Sequence, residues 1–174
     1  MGFSVTITSS IILIAVLAIS TSFLAAFFQG LKDLSYLAKE YTRLEREKLD
    51  VAFELKVDSV NATTCNITVV NKGSRAIILK DQGDFKWNTI ILSYGDGSVW
   101  RSYLIEHYEI LEVKVSGTDY AFNLENHGFL NPGEEAKISF SIPYGAPEIP
   151  PQGLVSIVFV THYGVAAKKE AVRG

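Results

Sequence analysis

The fold is decided by residues 5–28, VTITSSIILIAVLAISTSFLAAFF, which contain no charged residue and no proline. A helix of this length spans about 36 Å, enough to cross a hydrocarbon layer about 30 Å thick. A core helix in so small a protein would not be apolar on every side. The stretch therefore predicts a retained helix that spans a membrane or packs in an assembly. A cleaved secretory leader is the alternative, although such leaders carry a positive n-region and a shorter apolar run of about 7–15 residues.

The first charged residue is Lys32, and the residues that follow continue the helical pattern. Residues 31–49 read LKDLSYLAKEYTRLEREKL, with apolar residues three and four positions apart and charged residues between them. This period predicts that the helix runs on to about Leu49 as an amphipathic stalk. Two interpretations stay open: the stalk leans on its own globular domain, or its apolar stripe packs against identical helices.

Three small residues, Ala18, Ser22 and Ala26, recur at every fourth position of the apolar helix. They share one helix face, and such a groove lets helices approach closely inside lipid. They are therefore candidates for helix packing, including self-association. Residues 5–28 are expected to contact membrane lipid.

From Asp50 onward the sequence changes to short alternating runs separated by Gly, Asn, Asp and Pro. The runs predict strands at 51–57, 65–70, 76–80, 85–94, 99–105, 108–115, 120–124, 136–142 and 155–160, with a hairpin turn at Gly95-Asp96-Gly97. Their spacing indicates an antiparallel, Ig-like β-sandwich. The fold class is thus mainly β with one long N-terminal helix. Three regions are expected: a hydrophobic transmembrane or assembly helix (1–31), a stalk (32–49) and a β-sandwich (50–174).

Composition and motifs exclude several functions. The 174 residues carry a net charge of −3, so nucleic-acid binding is not expected. One cysteine excludes an intramolecular disulfide framework, and the three histidines lack zinc-site spacing. We expect no enzyme activity, no catalytic residues, no metal site and no cofactor. The remaining polar and aromatic candidates are interpreted as turn residues (Asp81, Asp84, Asp96) or packing residues (Cys65, Trp87, Trp100).

Two opposing signals concern location. Asn61-Ala-Thr63 and Asn66-Ile-Thr68 are N-glycosylation acceptor sequences, and Asn66 lies opposite two apolar neighbours, so it is expected to face solvent. The positive-inside rule points the other way, because five Lys and Arg residues follow the apolar helix closely. We favour export, with a single N-terminal span in the cell membrane and the C-terminal domain extracytoplasmic.

The opening Met1-Gly2-Phe3-Ser4-Val5, followed at once by a Ser/Thr/Ala-rich apolar helix, resembles the archaellum accessory proteins of archaea. These are the FlaF and FlaG types of the archaellin and type IV pilin-like superfamily. In the globular half, VVNKGS (69–74), LNPGE (130–134) and VFVTHYGV (158–165) resemble the family's strand-ending Asn-x-Gly, its Leu-x-Pro-Gly-Glu turn and its final strand.

This resemblance implies a pilin-like membrane helix that carries a β-sandwich in the archaeal pseudoperiplasm. The implied role is a stator that anchors the archaellum motor to the cell envelope by binding the S-layer protein, with a FlaG-type protein as partner. The alternative is an extracellular filament subunit, an archaellin or archaeal type IV pilin that polymerises through its N-terminal helix. Such subunits carry a basic leader that is cut before an apolar residue, and Gly2-Phe3 resembles the cut site without a preceding Lys or Arg. A membrane-tethered carbohydrate-binding sandwich is a third hypothesis.

Partner binding is expected on loops rather than in a pocket. Residues 143–151, PYGAPEIPP, hold four of the five prolines and favour an extended conformation. Tyr144 and Ile149 are the partner-binding candidates, and their replacement by serine is expected to spare the fold. A stiff crossover loop between strands is the alternative interpretation of this segment.

Overall fold

The computed structural model describes residues 2–80, 85–95 and 99–174, with side chains from residue 7 onward. The chain divides into two compact units, Met1–Glu45 and Arg46–Gly174. The Asp96-Gly97 part of the predicted hairpin turn, the turn residues Asp81 and Asp84, and the side chains at Gly2-Phe3 lie outside the described part. The elements in chain order are α1 Gly2–Leu49, β1 Phe53–Val60, β2 Thr64–Asn71, β3 Ile77–Ile78, β4 Thr89–Gly95, β5 Trp100–Ile105, β6 Tyr108–Val115, β7 Phe129–Leu130, β8 Glu134–Ser141, β9 Leu154–Val160 and β10 Ala166–Val172.

Helix α1 is one uninterrupted element of 48 residues, which corresponds to about 72 Å. It contains no proline, and Gly30 does not break it. The predicted continuation from the apolar half into the amphipathic half is confirmed. Within the described residues it is long and apolar enough to cross a membrane, as judged by length and composition.

The second unit is a sandwich of two four-stranded antiparallel sheets, ordered β1-β2-β8-β6 and β10-β9-β4-β5. A short ribbon of β3 and β7 adds a third pairing. Alternate residues of the large sheets face inward and form one apolar core, which includes Ile67, Ile138 and Phe159 at zero exposure. The predicted fold class is therefore confirmed.

Several strand predictions differ from the structure. The predicted strand 85–94 begins only at Thr89, and the short strand β7 was not predicted. Tyr120–Leu124 forms no strand: Ala121 makes a single bridge to Lys114, and Asn123 then turns the chain by accepting the amide of Glu125 on its side-chain oxygen. Strand β10, AAKKEAV, had no signal because Ala, Lys and Glu have low strand propensity. It forms because all seven residues pair with β9.

Candidate assembly helix and partner-binding turn

The large apolar side chains of helix α1 are exposed throughout the described residues. In the apolar half these include Ile11, Leu17, Phe23 and Phe28, each more than half exposed. In the amphipathic half the exposed stripe consists of Leu31, Leu34, Leu37, Tyr41 and Leu44. Residues 7–49 cover about 64 Å, about twice the thickness of a hydrocarbon layer. A hydrocarbon layer of that thickness would therefore cover only part of this apolar surface.

The small-residue groove presents no unsatisfied polar group. Ser22 Oγ donates to the carbonyl of Ala18 at 2.8 Å, and Thr21 Oγ1 donates to the carbonyl of Leu17 at 3.0 Å. Hydroxyls bonded within their own helix need no partner in lipid. Ala18, Ser22 and Ala26 thus offer a small apolar surface, and their packing against another helix remains a prediction.

The proline-rich segment 143–151 connects β8 of one sheet to β9 of the other. Ala146 N donates to the carbonyl of Pro143 at 3.0 Å, and Gly145 has φ of +80°, which defines a tight turn with a glycine in its left-handed position. Tyr144 occupies this turn with its side chain fully exposed. Because the turn fixes its backbone and a tyrosine has only two χ angles, binding through this side chain would cost little conformational entropy.

Ile149 contradicts its predicted role as a partner contact. Its side chain has zero exposure and belongs to the core. Its amide donates to the carbonyl of Ala62 at 2.9 Å, and its carbonyl accepts from the guanidinium of Arg173. Ile149 is therefore a packing residue of a stiff crossover loop, as the alternative interpretation of this segment expects. Of the two partner-binding candidates, only Tyr144 is exposed to a partner.

Tyr94, on β4 of the sheet β10-β9-β4-β5, also holds the segment 143–151 in place. Its hydroxyl donates to the carbonyl of Pro147 at 2.6 Å. Burial, with a smaller contribution from Tyr103, raises the pKa of Tyr94 to about 12, so the hydroxyl stays protonated and keeps donating. The Tyr144 turn is thus held by contacts to both sheets.

The two glycosylation candidates differ in exposure. Asn61 is exposed in the β1–β2 turn, where its Nδ2 donates to Thr64 Oγ1 at 3.2 Å. Asn66 is half-buried on β2 and donates to Ser59 Oγ at 2.9 Å. Ile142 N donates to the carbonyl of Thr63, so the Asn61 sequon and the Tyr144 turn lie at the same end of the sandwich. Glycan occupancy remains a prediction for both.

Two short motifs that are far apart in sequence meet in the structure. Asn71 is fully buried, and its Nδ2 donates to the carbonyls of Arg75 and Leu130, each at 2.8 Å. Its Oδ1 accepts the amide of Gly73 at 3.0 Å. A Cβ at Gly73 would lie 2.5 Å from the amide nitrogen of Ala52, so only glycine fits there. The same turn holds the segment after α1, because Lys72 N donates to the carbonyl of Ala52 at 2.8 Å and Ser74 N to that of Asp50 at 3.0 Å. We name Asn71, Gly73 and their partners the strand-end clamp.

His127 is not isolated, contrary to its appearance in the sequence. Its Nε2 lies 2.9 Å from Glu134 Oε2, and its ring stacks on Phe122 with centroids 4.1 Å apart. Glu134 also accepts from the backbone amide and the side-chain amide of Asn131 at 2.7 and 3.1 Å. Burial pushes the pKa of Glu134 up, but the hydrogen bonds from His127 and Asn131 outweigh it and hold this pKa below its ordinary value.

This lowered pKa predicts an acid-sensitive sandwich. A carboxyl with a depressed folded-state pKa stabilises the fold above its unfolded pKa, and that stability is lost as the pH falls through the folded pKa. We expect Glu134→Gln to cost about 2 kcal/mol at pH 7, because one amide replaces a charged acceptor of three hydrogen bonds. The variant should also lose less stability than the parent between pH 6 and pH 3. Urea unfolding at several pH values measures both, with the exposed Glu54→Gln as control; equal pH slopes would contradict the assignment.

The described residues contain no group of three or more His, Cys, Asp and Glu side chains that could hold a metal ion. Cys65 is fully buried in the core, and burial raises its pKa to about 11. The chain combines a helix that has an exposed apolar surface with a β-sandwich whose interior is filled by side chains. Its exposed surfaces suit contacts with other macromolecules.

No family model and no curated protein matches the sequence. Among solved structures, the archaeal flagellum of Methanospirillum hungatei strain JF1 is similar at 12% identity and a TM-score of 0.56, over 97% of this chain and 93% of that one. It shares the fold of this chain from helix to sandwich. The archaellum periplasmic stator protein FlaG from Sulfolobus acidocaldarius matches at 12% identity and a TM-score of 0.43, over 69% of this chain and all of that one. The FlaF and FlaG stator complex of the same organism matches at 12% and 0.42, over 67% of this chain and 87% of that one.

Proposed function

We propose that the protein is a non-enzymatic component of an archaellum-type apparatus, and specifically a stator that anchors the motor to the cell envelope. The helix would lie in the cell membrane, and the sandwich would bind the S-layer protein outside it, with a FlaG-type protein as partner. The observation that carries this proposal is the combination of a helix whose large apolar side chains are exposed with a sandwich whose interior is filled by side chains. A chain built this way acts by placing one surface in the membrane and another against a partner.

The Tyr144 turn supports the envelope-binding part of this proposal. Its tyrosine is fully exposed, and the segment behind it is fixed by hydrogen bonds from Tyr94 and to Ala62. Tyrosine side chains are frequent hot spots of protein interfaces. The turn therefore offers an anchor for a protein partner at the end of the sandwich.

Replacing Tyr144 with serine should reduce capture of isolated S-layer sheets about tenfold, since a hot-spot side chain contributes about 1.4 kcal/mol or more. The measurement is co-sedimentation of the detergent-solubilised full chain with washed S-layer sheets. Tyr120→Ser is the matched control, because Tyr120 is also an exposed sandwich tyrosine. Equal retention of both variants would overturn the assignment to Tyr144.

A filament subunit is the second candidate, and two observations favour it. The fold likeness to the archaeal flagellum covers both helix and sandwich, and the exposed stripe Leu31–Leu44 continues beyond the length that a bilayer covers. In a filament, helices of neighbouring subunits would cover that stripe, as in helical bundles.

One fractionation experiment separates the two candidates. A stator is extracted from membranes only by detergent and does not sediment as fibres, whereas a filament subunit is recovered in sheared extracellular fibres. N-terminal sequencing of each fraction shows whether the chain is cut near Gly2-Phe3. Recovery mainly in fibres with a trimmed N-terminus would overturn the stator proposal and support the filament one.

A further inference from the structure

The helix junction and the Tyr144 turn lie at opposite ends of one sheet. Helix α1 ends at Leu49, and β1 begins four residues later at Phe53. At the other end of β1, the β1–β2 turn is bonded to the segment that carries Tyr144, because Ile142 N donates to the carbonyl of Thr63 at 2.8 Å. Strand β1 spans about 25 Å, and this length separates the two points.

Strands β1 and β8 run in the same direction between these two ends. Each pairs antiparallel with β2, which lies between them in the sheet. The helix junction precedes the start of β1, and the Tyr144 turn follows the end of β8 at Ser141. A pull between the junction and the turn therefore draws β1 and β8 in opposite directions, each along its own length.

Such a pull loads the strand pairs in shear. Seven residue pairs join β1 to β2, from Phe53 with Asn71 to Val60 with Cys65, and seven more join β2 to β8. The hydrogen bonds between antiparallel strands are perpendicular to the strands. A force along the strands therefore strains all the bonds of a ladder together, whereas a force across them opens one pair at a time.

The turn after β2 lengthens the β1–β2 ladder at the end where the helix joins. Lys72 N donates to the carbonyl of Ala52, and Ser74 N donates to the carbonyl of Asp50, the residue directly after α1. Arg75 adds an exposed ion pair with Asp50 at 3.7 Å. A load that arrives through Leu49 thus meets a bonded pair at once, with no free linker to straighten first.

The segment at the opposite end is tied down on the β9 side of Tyr144 as well as on the β8 side. The hydroxyl of Tyr94 donates to the carbonyl of Pro147 at 2.6 Å. Ile149 is fully buried, and its amide donates to the carbonyl of Ala62 at 2.9 Å. A pull on Tyr144 has to break these contacts before it can peel the segment away, so the load passes into the sheet.

We propose that the sandwich bears tension between α1 and a partner held at the Tyr144 turn, and that the paired strands β1, β2 and β8 carry this load in shear. The inference rests on the proposed stator function for the source of the load, since a stator is held in the membrane by its helix and at the envelope by its sandwich. The mechanical strength itself follows from strand order and attachment points. It is expected to depend on direction: high along this axis, and low when β1, an edge strand of its sheet, is peeled from β2.

Single-molecule force spectroscopy of the full chain in detergent micelles tests this direction dependence. Leu49→Cys with Tyr144→Cys places the handles at the two ends of the load path, and we call this the axial attachment. Leu49→Cys with Lys72→Cys places both handles at one end, where pulling unzips β1 from β2, and we call this the peeling attachment. All three positions are exposed. Cys65 is fully buried, so thiol-reactive handles leave it unmodified.

At the same loading rate, the axial attachment should rupture at a force at least about twofold higher than the peeling attachment, because its ladder bonds break together. Release of residues 49–144 lengthens the chain by on the order of 300 Å, and release of residues 49–72 by about 80 Å, which identifies each event. Urea midpoints equal to that of the parent show that the substitutions leave stability unchanged. Ser74→Cys, exposed in the same turn, replaces Lys72→Cys if that midpoint falls. Equal rupture forces, or a weaker axial attachment, would overturn the proposal.

The load path and the stator function fail separately. If Tyr144→Ser keeps its capture of S-layer sheets, the partner surface lies elsewhere, and the rupture forces still decide whether the sheet is built to resist tension along β1. If capture is lost and the two rupture forces are equal, the Tyr144 turn binds a partner without a load path behind it.

Discussion

Replacing Asn71 with alanine should lower the free energy of unfolding of the sandwich by about 3 kcal/mol. The side chain is fully buried and makes three hydrogen bonds, to the carbonyls of Arg75 and Leu130 and from the amide of Gly73. Its removal takes a hydrogen-bond partner from the buried carbonyl of Leu130 and from two part-buried groups, the carbonyl of Arg75 and the amide of Gly73. A buried group left unpaired costs about 1–3 kcal/mol. We expect the loss to weaken the β3–β7 ribbon as well, because Leu130, which pairs with Ile77 in that ribbon, would lose its bond to Asn71.

Urea unfolding of the full chain in detergent, followed by tryptophan fluorescence, measures this loss. Both tryptophans, Trp87 and Trp100, belong to the sandwich unit, so the signal reports that unit and not the helix. Asn66→Ala is the matched control, since Asn66 is half-buried on the same strand and donates one side-chain bond to Ser59. A loss of less than about 1 kcal/mol at Asn71, or an equal loss at Asn66, would contradict the clamp.

The helix and most strands could be predicted because their signals are local. An uncharged run followed by a three-and-four period leaves little choice but a helix, and the strict alternation of Ala136–Ile142 leaves little choice but a half-buried strand. Strand β10 carries no such signal, because its residues favour other conformations and it exists through pairing with β9. Tertiary pairing, which the local sequence does not contain, decided that element.

The candidate surfaces were harder to predict for the same reason. Ile149 stands in a proline-rich run that favours an exposed loop, yet the crossover between the two sheets carries it into the core. Neighbours across the sheet β10-β9-β4-β5 are equally hard to predict: Leu104, Ile91 and Val158 come from three different strands and are brought side by side only by the strand register. Apolar residues on both faces of Val155–Val160 indicate a central strand, but not what lies on its outer side.

Substitutions at Ile149 and at Tyr144 should change the free energy of unfolding by very different amounts, although both residues were candidates for the same partner-binding surface. Ile149→Ser should lower the free energy of unfolding by about 4 kcal/mol, because it leaves a cavity in the core and buries a hydroxyl. Ile149→Val removes one methylene group and should cost about 1 kcal/mol. Tyr144→Ser should change the unfolding free energy by less than about 0.5 kcal/mol, since the tyrosine is fully exposed.

The three variants together separate folding from binding at this end of the sandwich. Tyr144→Ser should lose partner capture with an unchanged urea midpoint, whereas Ile149→Val should keep capture despite a lower midpoint. Ile149→Ser should lose capture only in proportion to the fraction of unfolded protein, because its side chain does not reach the surface. If Ile149→Ser kept its midpoint and still lost capture, Ile149 would be a direct contact, and the packing of the crossover segment against Ala62 and Arg173 would have to open on binding.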